Sequence, residues 1–263
     1  MNEFISHVKT FLENKTIDVF IGYENGTFNK PRAIFVSNVE DVDKLIFNEN
    51  CYRNLAVYLT RKDLVGGKKV GISASYYALK NILLLFDENQ LKEENLHIIA
   101  LSEKGEIKQL QSVEEIKQHI KEIPLPAKLN EDELIKKINA MSRTERWEFW
   151  TEELSRCFKC YACRSICPMC YCTKCIVEVN RPQWIQPWAS TLSNMEWQIN
   201  RVMHMAGRCS DCGACGAVCP VGIPIHLLSH AMTDWVEENF GEPTEKGNVL
   251  STFKPDDKEN FIM

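Results

Sequence analysis

Apolar and polar residues in the first half of the chain follow the pattern of a layered α/β domain. Short β-branched and aromatic runs bounded by turn residues predict strands, and apolar residues three or four positions apart predict helices. The predicted strands are residues 17–22, 33–36, 69–73 and 96–101. The predicted helices are residues 4–12, 41–47, 55–60, 77–86 and 112–122, the last opened by a capping box. This alternation favours a mainly parallel sheet covered by helices.

Helical periodicity dominates the second half of the chain, after the break at Pro124-Leu125-Pro126. Helices are predicted over residues 131–141, from the Ser142…Glu145 capping box towards residue 157, over 192–206 with Ser193 as its cap, and from Pro224 to Gly241. We expect an α/β domain (1–125), a linker and connecting helix (126–142), a helical domain (143–241) and an extended tail (242–263).

Composition and charge exclude several classes of function. The chain has 263 residues, of which 44% are hydrophobic and 25% charged, which is ordinary for a globular protein. A net charge of −5 gives no basic face for nucleic acid. No apolar run approaches the roughly 20 residues of a membrane span, and the first residues lack the pattern of a secretory signal. We therefore expect a cytoplasmic protein.

Cysteine is the residue type that points to chemistry. The chain has twelve cysteines, of which one is Cys51 and eleven lie between Cys157 and Cys219. So many cysteines in a reducing compartment indicate metal binding rather than disulfides.

Eight of these cysteines form two runs with the spacing Cys-x2-Cys-x2-Cys-x3-Cys-Pro. The runs are Cys157, Cys160, Cys163 and Cys167 before Pro168, and Cys209, Cys212, Cys215 and Cys219 before Pro220. This spacing is typical of bacterial four-iron, four-sulfur sites, in which the fourth cysteine of each run binds the other cluster. We therefore expect one [4Fe-4S] cluster on Cys157, Cys160, Cys163 and Cys219, and a second on Cys209, Cys212, Cys215 and Cys167. Structural zinc, the alternative, takes two spaced pairs of ligands and does not fit this pattern.

The four remaining cysteines suggest a third [4Fe-4S] cluster. Cys170, Cys172 and Cys175 follow the first run closely, and Cys51 is the remaining cysteine that can supply a fourth ligand. Alternatively, Cys51 is a buried structural residue and Glu178, His204 or water completes the site. A further alternative is that these cysteines pack as small hydrophobic residues.

Other residue types carry weaker signals. Lys68, Lys69 and Lys80 allow a phosphate or flavin site, but we expect them on a solvated surface. The histidines of the second half are expected to serve packing rather than metal binding. All six tryptophans lie after residue 146, and we expect them to shield the clusters from water.

Taken together, these motifs predict an α/β N-terminal domain and a helical ferredoxin-type dicluster domain. The chain resembles the iron–sulfur beta subunits of deazaflavin-coenzyme-reducing hydrogenases and formate dehydrogenases. It resembles more closely their ferredoxin-domain relatives associated with heterodisulfide-reductase-like complexes. Beside the cysteine runs, the resemblance rests on Ile21-Gly22-Tyr23, Asn54-Leu55-Ala56-Val57-Tyr58-Leu59, Met205-Ala206-Gly207-Arg208-Cys209 and Thr252-Phe253-Lys254-Pro255.

The resemblance implies an electron-transfer subunit of a soluble redox complex. Such subunits relay electrons between a dehydrogenase or hydrogenase catalytic subunit and a flavin-bearing or bifurcating partner. The family usually has a Gly-Cys-Asp stretch near its flavin or substrate site, where this chain has Ser73-Ala74-Ser75-Tyr76-Tyr77. We therefore expect no tightly bound flavin. Two alternatives are a flavin-dependent reductase of a diffusible coenzyme such as a deazaflavin, and a non-catalytic sensor or assembly protein.

Overall fold

The computed structural model contains a five-stranded mixed sheet and a group of helices that carries the cysteine runs. The structure describes residues 2–48, 50–51, 53–101, 107–123, 133–177, 179 and 181–241. The strands are β1 (Val19–Asn25), β2 (Pro31–Val36), β3 (Val70–Ala74), β4 (Leu96–Leu101) and β5 (Ile107–Leu110). The α-helices are α1 (Asn2–Glu13), α2 (Lys62–Val65), α3 (Tyr76–Asp87), α4 (Val113–Glu122), α5 (Glu133–Ala140), α6 (Arg143–Ser155), α7 (Ala162–Ser165), α8 (Thr191–His204), α9 (Ala214–Ala217) and α10 (Ile225–Phe240). The predicted tail, residues 242–263, lies outside the described residues.

The sheet has the strand order β2-β1-β3-β4-β5. The three central strands are parallel, whereas β2 and β5 pair antiparallel with β1 and β4. The prediction of a mainly parallel sheet is therefore wrong at both edges, and β5 was not predicted. Short connections join each edge strand to its neighbour, and a short connection joins antiparallel strands, whereas a parallel pair needs a long crossover.

Two apolar cores cover the two faces of the sheet. Phe20 packs with Phe4 of α1 on one face, and the next residue, Ile21, packs with Leu79 and Ile82 of α3 on the other. This division follows from the strand geometry, because successive side chains point to opposite faces. The sheet therefore places α3 on the face opposite α1.

Two predicted helices and one predicted cap differ in the structure. Residues 41–47 and 55–60 were predicted as helices, but the chain forms short 3₁₀ helices at Val39–Lys44 and Leu55–Tyr58. Segments this short form too few α-helical hydrogen bonds to offset the cost of nucleation. The capping box at Ser142 is confirmed. The cap of α8 is Ser190 rather than Ser193, which is buried.

Helix α3 connects the sheet to the helices that carry the cysteines. One side of α3 packs on the sheet, and Leu84 and Leu85 pack against Met169 and Met205. A helix that is apolar on nearly all sides is expected where both sides are covered. Lys80 of this helix is buried with its ammonium 5.9 Å from the centre of the Tyr76 ring, so the predicted solvated position is wrong for Lys80. Lys68 and Lys69 are exposed as predicted.

A charged cluster joins the end of α3 to the cysteine-bearing part. Arg208 donates from Nε and Nη2 to the two oxygens of the Glu88 carboxylate, at 2.6 and 2.8 Å. The Tyr171 hydroxyl donates to the same carboxylate at 2.6 Å. The Glu88 side chain is only 11% exposed, so this two-point ion pair is far better shielded than the surface pairs.

The Arg208 pair should contribute measurably to stability. Arg208→Gln removes both charged hydrogen bonds, which are each worth about 1.5–3 kcal/mol, and leaves the Glu88 charge without its cation. Since 1 kcal/mol shifts the Tm of a chain of this size by roughly 2–4 °C, we expect a drop of several degrees, measured by circular dichroism on anaerobically purified protein.

Lys108→Gln is the matched control for this variant. It breaks the pair with Glu122, which has the similar distance of 3.0 Å but about half of each side chain exposed. Exposed pairs contribute about 0–1 kcal/mol, so this variant should change the Tm little. Equal changes in the two variants would contradict a stabilising role for the Arg208 pair.

Candidate metal centre

The two cysteine runs adopt the same local backbone form. In the first run, Lys159 and Tyr161 have φ of 55° and 58°, and Tyr161 immediately precedes α7. In the second run, Asp211 and Gly213 occupy the equivalent positions with φ of 61° and 69°, and Gly213 precedes α9. Positive φ is unfavourable for residues other than glycine, so its recurrence indicates a loop shape that the site requires.

This loop shape directs backbone N–H groups at the cysteine sulfurs. The Lys159 N–H donates to Cys157 Sγ at 3.4 Å, and the Asp211 N–H donates to Cys209 Sγ at the same distance. The Ile223 N–H donates to Cys219 Sγ at 3.3 Å. Such donors stabilise the negative charge of a thiolate, and the thiolate is the form of cysteine that binds metal.

The eight cysteines of the two runs line two separate cavities. One cavity is lined by Cys157, Cys160, Cys163 and Cys219. The other is lined by Cys167, Cys209, Cys212 and Cys215. The last cysteine of each run therefore lies with the first three of the other run, which is the grouping that crossed ligation requires.

The electrostatics of the second cavity suit a metal-bound thiolate better than a free one. Burial raises the pKa of the thiols of Cys209, Cys212 and Cys215 above the ordinary value. A metal replaces the proton of a thiol and compensates the charge of the thiolate, so it removes this cost. Among the described residues, no three cysteine, histidine or acidic side chains converge as ligands of a single metal ion.

The second cysteine run is also held by the sheet domain. Asn81 of α3 accepts a hydrogen bond from Ser210 Oγ at 2.7 Å and another from Asn54 Nδ2 at 2.7 Å. All three side chains are buried. Ser210 lies between Cys209 and Asp211, so this network fixes the second loop against α3.

The additional cysteines of the second half share a third cavity. Cys170, Cys172 and Cys175 line it together with His204. The Sδ of Met205 lies 3.9 Å from Cys170 Sγ and 3.8 Å from Cys167 Sγ, so this group adjoins the second quartet. Glu178, another predicted ligand, lies outside the described residues.

Cys51 is buried in the apolar core that covers the α3 face of the sheet. Its thiol is 3.6 Å from the Asn48 side-chain oxygen, and it packs with residues of β1, β3 and α3. It is not among the described residues that line the cavity of Cys170. The structure therefore brings three of the four predicted ligands of the third site together.

Helix α8 contacts the clustered cysteines with polar side chains that the sequence analysis missed. Asn194, Gln198 and Arg201 are buried at positions i, i+4 and i+7, on one face of the helix. Leu192 and Met203, two of the apolar residues whose spacing predicts this helix, are mostly exposed. The signal available in the sequence was this polar stripe, which helical periodicity of apolar residues alone does not detect.

Each residue of the polar stripe binds the first cysteine run. Asn194 Nδ2 donates to the Cys157 carbonyl at 2.7 Å, and Gln198 Nε2 donates to Cys163 Sγ at 3.9 Å. Arg201 Nη2 donates to the Cys163 carbonyl at 3.2 Å. Helix α8 therefore holds the loop of the first run at both Cys157 and Cys163.

Tryptophan shields the site only in part. Trp197 is buried, lines the first cavity and makes an edge contact with Tyr161 at 5.2 Å between ring centres. Trp150 is buried as well, but the other four tryptophans are more than half exposed. The prediction that all six exclude water is therefore wrong for the exposed ones.

The predicted histidine roles agree with the structure for His230. This residue is buried in α10, and its Nδ1 lies 2.6 Å from the Asp211 carboxylate. Hydrogen bonding to Asp211 raises the pKa of His230 above the ordinary value. The pair ties α10 to the second cysteine loop, which is a structural contact.

Comparisons with known proteins support the predicted metal chemistry. The family model described as a 4Fe-4S dicluster domain matches residues 153–223. The chain is 33% identical over 95 residues to the F420-dependent formate dehydrogenase subunit beta of Methanocaldococcus jannaschii. It is 31% identical over 94 residues to the F420-dependent formate dehydrogenase 1 subunit beta of Methanococcus maripaludis.

The chain matches only part of the length of these relatives. Each match covers 36% of this chain and 24% of the relative, so the alignment spans about a quarter of either relative. No helix in the described part of the chain is both long and apolar enough to cross a membrane.

The predicted four-iron, four-sulfur chemistry and the resemblance to iron–sulfur beta subunits are confirmed. The chain is an iron–sulfur protein whose residues 153–223 match a 4Fe-4S dicluster domain, and about a third of it is similar to part of the beta subunits of F420-dependent formate dehydrogenases.

Proposed function

We propose that this chain is the iron–sulfur electron-transfer subunit of a multi-subunit redox complex. The observation that carries the proposal is the pair of adjoining cysteine quartets, which are joined through helix α8. The complex would be a hydrogenase, a formate dehydrogenase or a heterodisulfide-reductase-like assembly. The chain would relay electrons between the catalytic subunit and a flavin-bearing or bifurcating partner.

The residues of the chain hold and insulate the redox groups. Each [4Fe-4S] cluster supplies a one-electron couple whose potential depends on charge, hydrogen bonds to sulfur and exposure. The eight cysteines of the two runs are the proposed ligands, with crossed fourth ligands. The N–H groups of Lys159, Asp211 and Ile223 stabilise the sulfurs, and Trp197 excludes water from the first cavity.

The segment that replaces the family's Gly-Cys-Asp stretch favours a relay over a flavin-dependent reductase. Ser73 is buried with its hydroxyl 3.4 Å from the Ile21 carbonyl. The rings of Tyr76 and Tyr77 make an edge contact at 5.4 Å between centres. Two packed aromatic rings in this segment support the proposal, because a flavin that binds through close approach to the backbone needs small residues there. The alternative is a deazaflavin-dependent reductase, which is favoured by the words "F420-dependent" in the names of both relatives.

Purification of the native complex under anaerobic conditions tests the relay directly. We expect the chain to copurify with a dehydrogenase, hydrogenase or heterodisulfide-reductase-like subunit, and the isolated chain to release no flavin on acid extraction. About one flavin per isolated chain would favour the reductase. A chain that holds clusters but purifies without redox partners would favour a sensor or assembly protein.

Substitution of single cysteines should reveal crossed ligation. Cys157→Ala and Cys219→Ala should damage one cluster, whereas Cys209→Ala and Cys167→Ala should damage the other. The two clusters of the dicluster domain account for about eight irons and eight sulfides per chain, which iron and acid-labile sulfide assays measure. Electron paramagnetic resonance of the reduced variants identifies which cluster is lost.

Two results would contradict this ligation. If the spectrum of Cys219→Ala matched that of Cys209→Ala, each run would bind its own cluster without crossing. Stoichiometric zinc without sulfide would exclude clusters altogether.

A third [4Fe-4S] cluster on Cys51, Cys170, Cys172 and Cys175 is a further proposal. The shared cavity of the last three supports it, and His204 of the same cavity is the rival to Cys51 as fourth ligand. Cys51→Ala should remove about four irons per chain, or convert one cluster to a three-iron form. If His204→Ala has this effect and Cys51→Ala does not, histidine is the ligand. Wild-type protein with only about eight irons contradicts a third cluster.

A further inference from the structure

Arg201 is a buried cation placed between the cysteine groups. Its side chain is among the buried polar groups of α8, with the residue 4% exposed. It lines both the cavity of the second quartet and the cavity of Cys170. At the same time its Nη2 donates to the Cys163 carbonyl of the first run at 3.2 Å. Arg201 therefore binds the first run and borders the cavities of the other two groups of cysteines.

Two nitrogens of this guanidinium are left without an oxygen or nitrogen acceptor among the described residues, and the side chain interacts with the thiol of Cys215 in the second quartet. Within the described part of the chain, Arg201 Nε and Nη1 are buried and have no hydrogen-bond partner. An unsatisfied buried donor costs about 1–3 kcal/mol, and more when it is charged. Buried polar groups in folded proteins almost always have a partner, so these donors indicate an acceptor bound in the cavity.

The groups around Arg201 that can carry negative charge are cysteine sulfurs. Cys167, Cys209, Cys212 and Cys215 line the cavity of the second quartet together with Arg201, and Cys170, Cys172 and Cys175 line the third cavity with it. No carboxylate forms an ion pair with Arg201 among the residues that the structure describes. The nearby cation Arg208, in contrast, is neutralised by Glu88.

We propose that Arg201 is a positioning residue shared by the two clusters, with its free N–H groups donating to cluster-bound sulfur. This inference rests on the proposed function, in which both quartets hold [4Fe-4S] clusters. Arginine suits the task because its planar fork offers five donors in fixed directions and stays charged in every redox state. A fixed cation favours the more negative, reduced form of a cluster, so Arg201 raises the reduction potential of both clusters.

Potentiometric titration of the full-length protein tests this role. Arg201→Met keeps most of the side-chain volume and removes the charge, so the potentials of both dicluster sites should shift to more negative values. Arg201→Lys keeps the charge, so its potentials should lie close to those of the wild-type protein. The readout is the potential at which each reduced signal appears in electron paramagnetic resonance, with iron content measured on the same sample.

Val8→Ala is the control for a general loss of stability. It removes buried apolar volume from α1, on the face of the sheet opposite α3, and Val8 lines none of the three cysteine cavities. We expect a less stable protein with unaltered potentials. If this control shifts the potentials as much as Arg201→Met does, the effect is a general loss of structure and the proposal is wrong.

A measurement on unmutated protein covers the case in which Arg201→Met does not fold. Protein labelled with ¹⁵N at the guanidinium nitrogens of arginine should show a nitrogen hyperfine coupling to the reduced clusters. Labelled Arg201→Lys should lose this coupling, and the labelled control should keep it. Absence of the coupling in the wild-type protein would overturn the hydrogen bonds.

The failure of this inference is distinguishable from that of the proposed function. A chain without iron and sulfide refutes the clusters themselves. A chain with both clusters, but with potentials and nitrogen coupling unchanged on loss of Arg201, refutes only the role of Arg201.

Discussion

The grouping of many cysteine sulfurs in a small, partly buried volume is the constraint on which the cysteine-bearing half depends. Burial raises the pKa of the thiols, so negative sulfur requires positive charge and hydrogen-bond donors nearby. The two loops meet part of this need with backbone N–H groups, which they direct inward through residues at positive φ. This explains why residues as bulky as Lys159 and Tyr161 adopt a conformation that usually belongs to glycine.

Helix α8 meets the rest of this need. Its buried face carries Asn194, Gln198 and Arg201, which bind the loop of the first run, while apolar side chains such as Leu192 remain exposed. An ordinary amphipathic helix has the reverse arrangement. The difference arises because this helix packs partly on sulfur and backbone carbonyls, which require donors, rather than wholly on an apolar core.

The sheet domain contributes to the same centre through α3. This helix is covered by the sheet on one side and by Met169 and Met205 on the other. Its Asn81 binds Ser210 of the second loop, and Glu88 at its end binds Arg208 and Tyr171. The polar and charged contacts give the interface a defined orientation, which the apolar contacts alone do not impose, because apolar burial is non-directional.

The sequence alone determined those features that depend on residues a few positions apart. The cysteine spacing determined the metal chemistry, and Ser142 with Glu145 determined the start of α6. Helix and strand types were predicted for most long elements, because their hydrophobic periods are strong. Tertiary structure decided the antiparallel edges of the sheet, the buried face of α8, the place of Cys51 in the sheet core and the position of Arg201 among the thiols. These features depend on which distant segments pack together, and local patterns of polarity carry no information on a partner far along the chain.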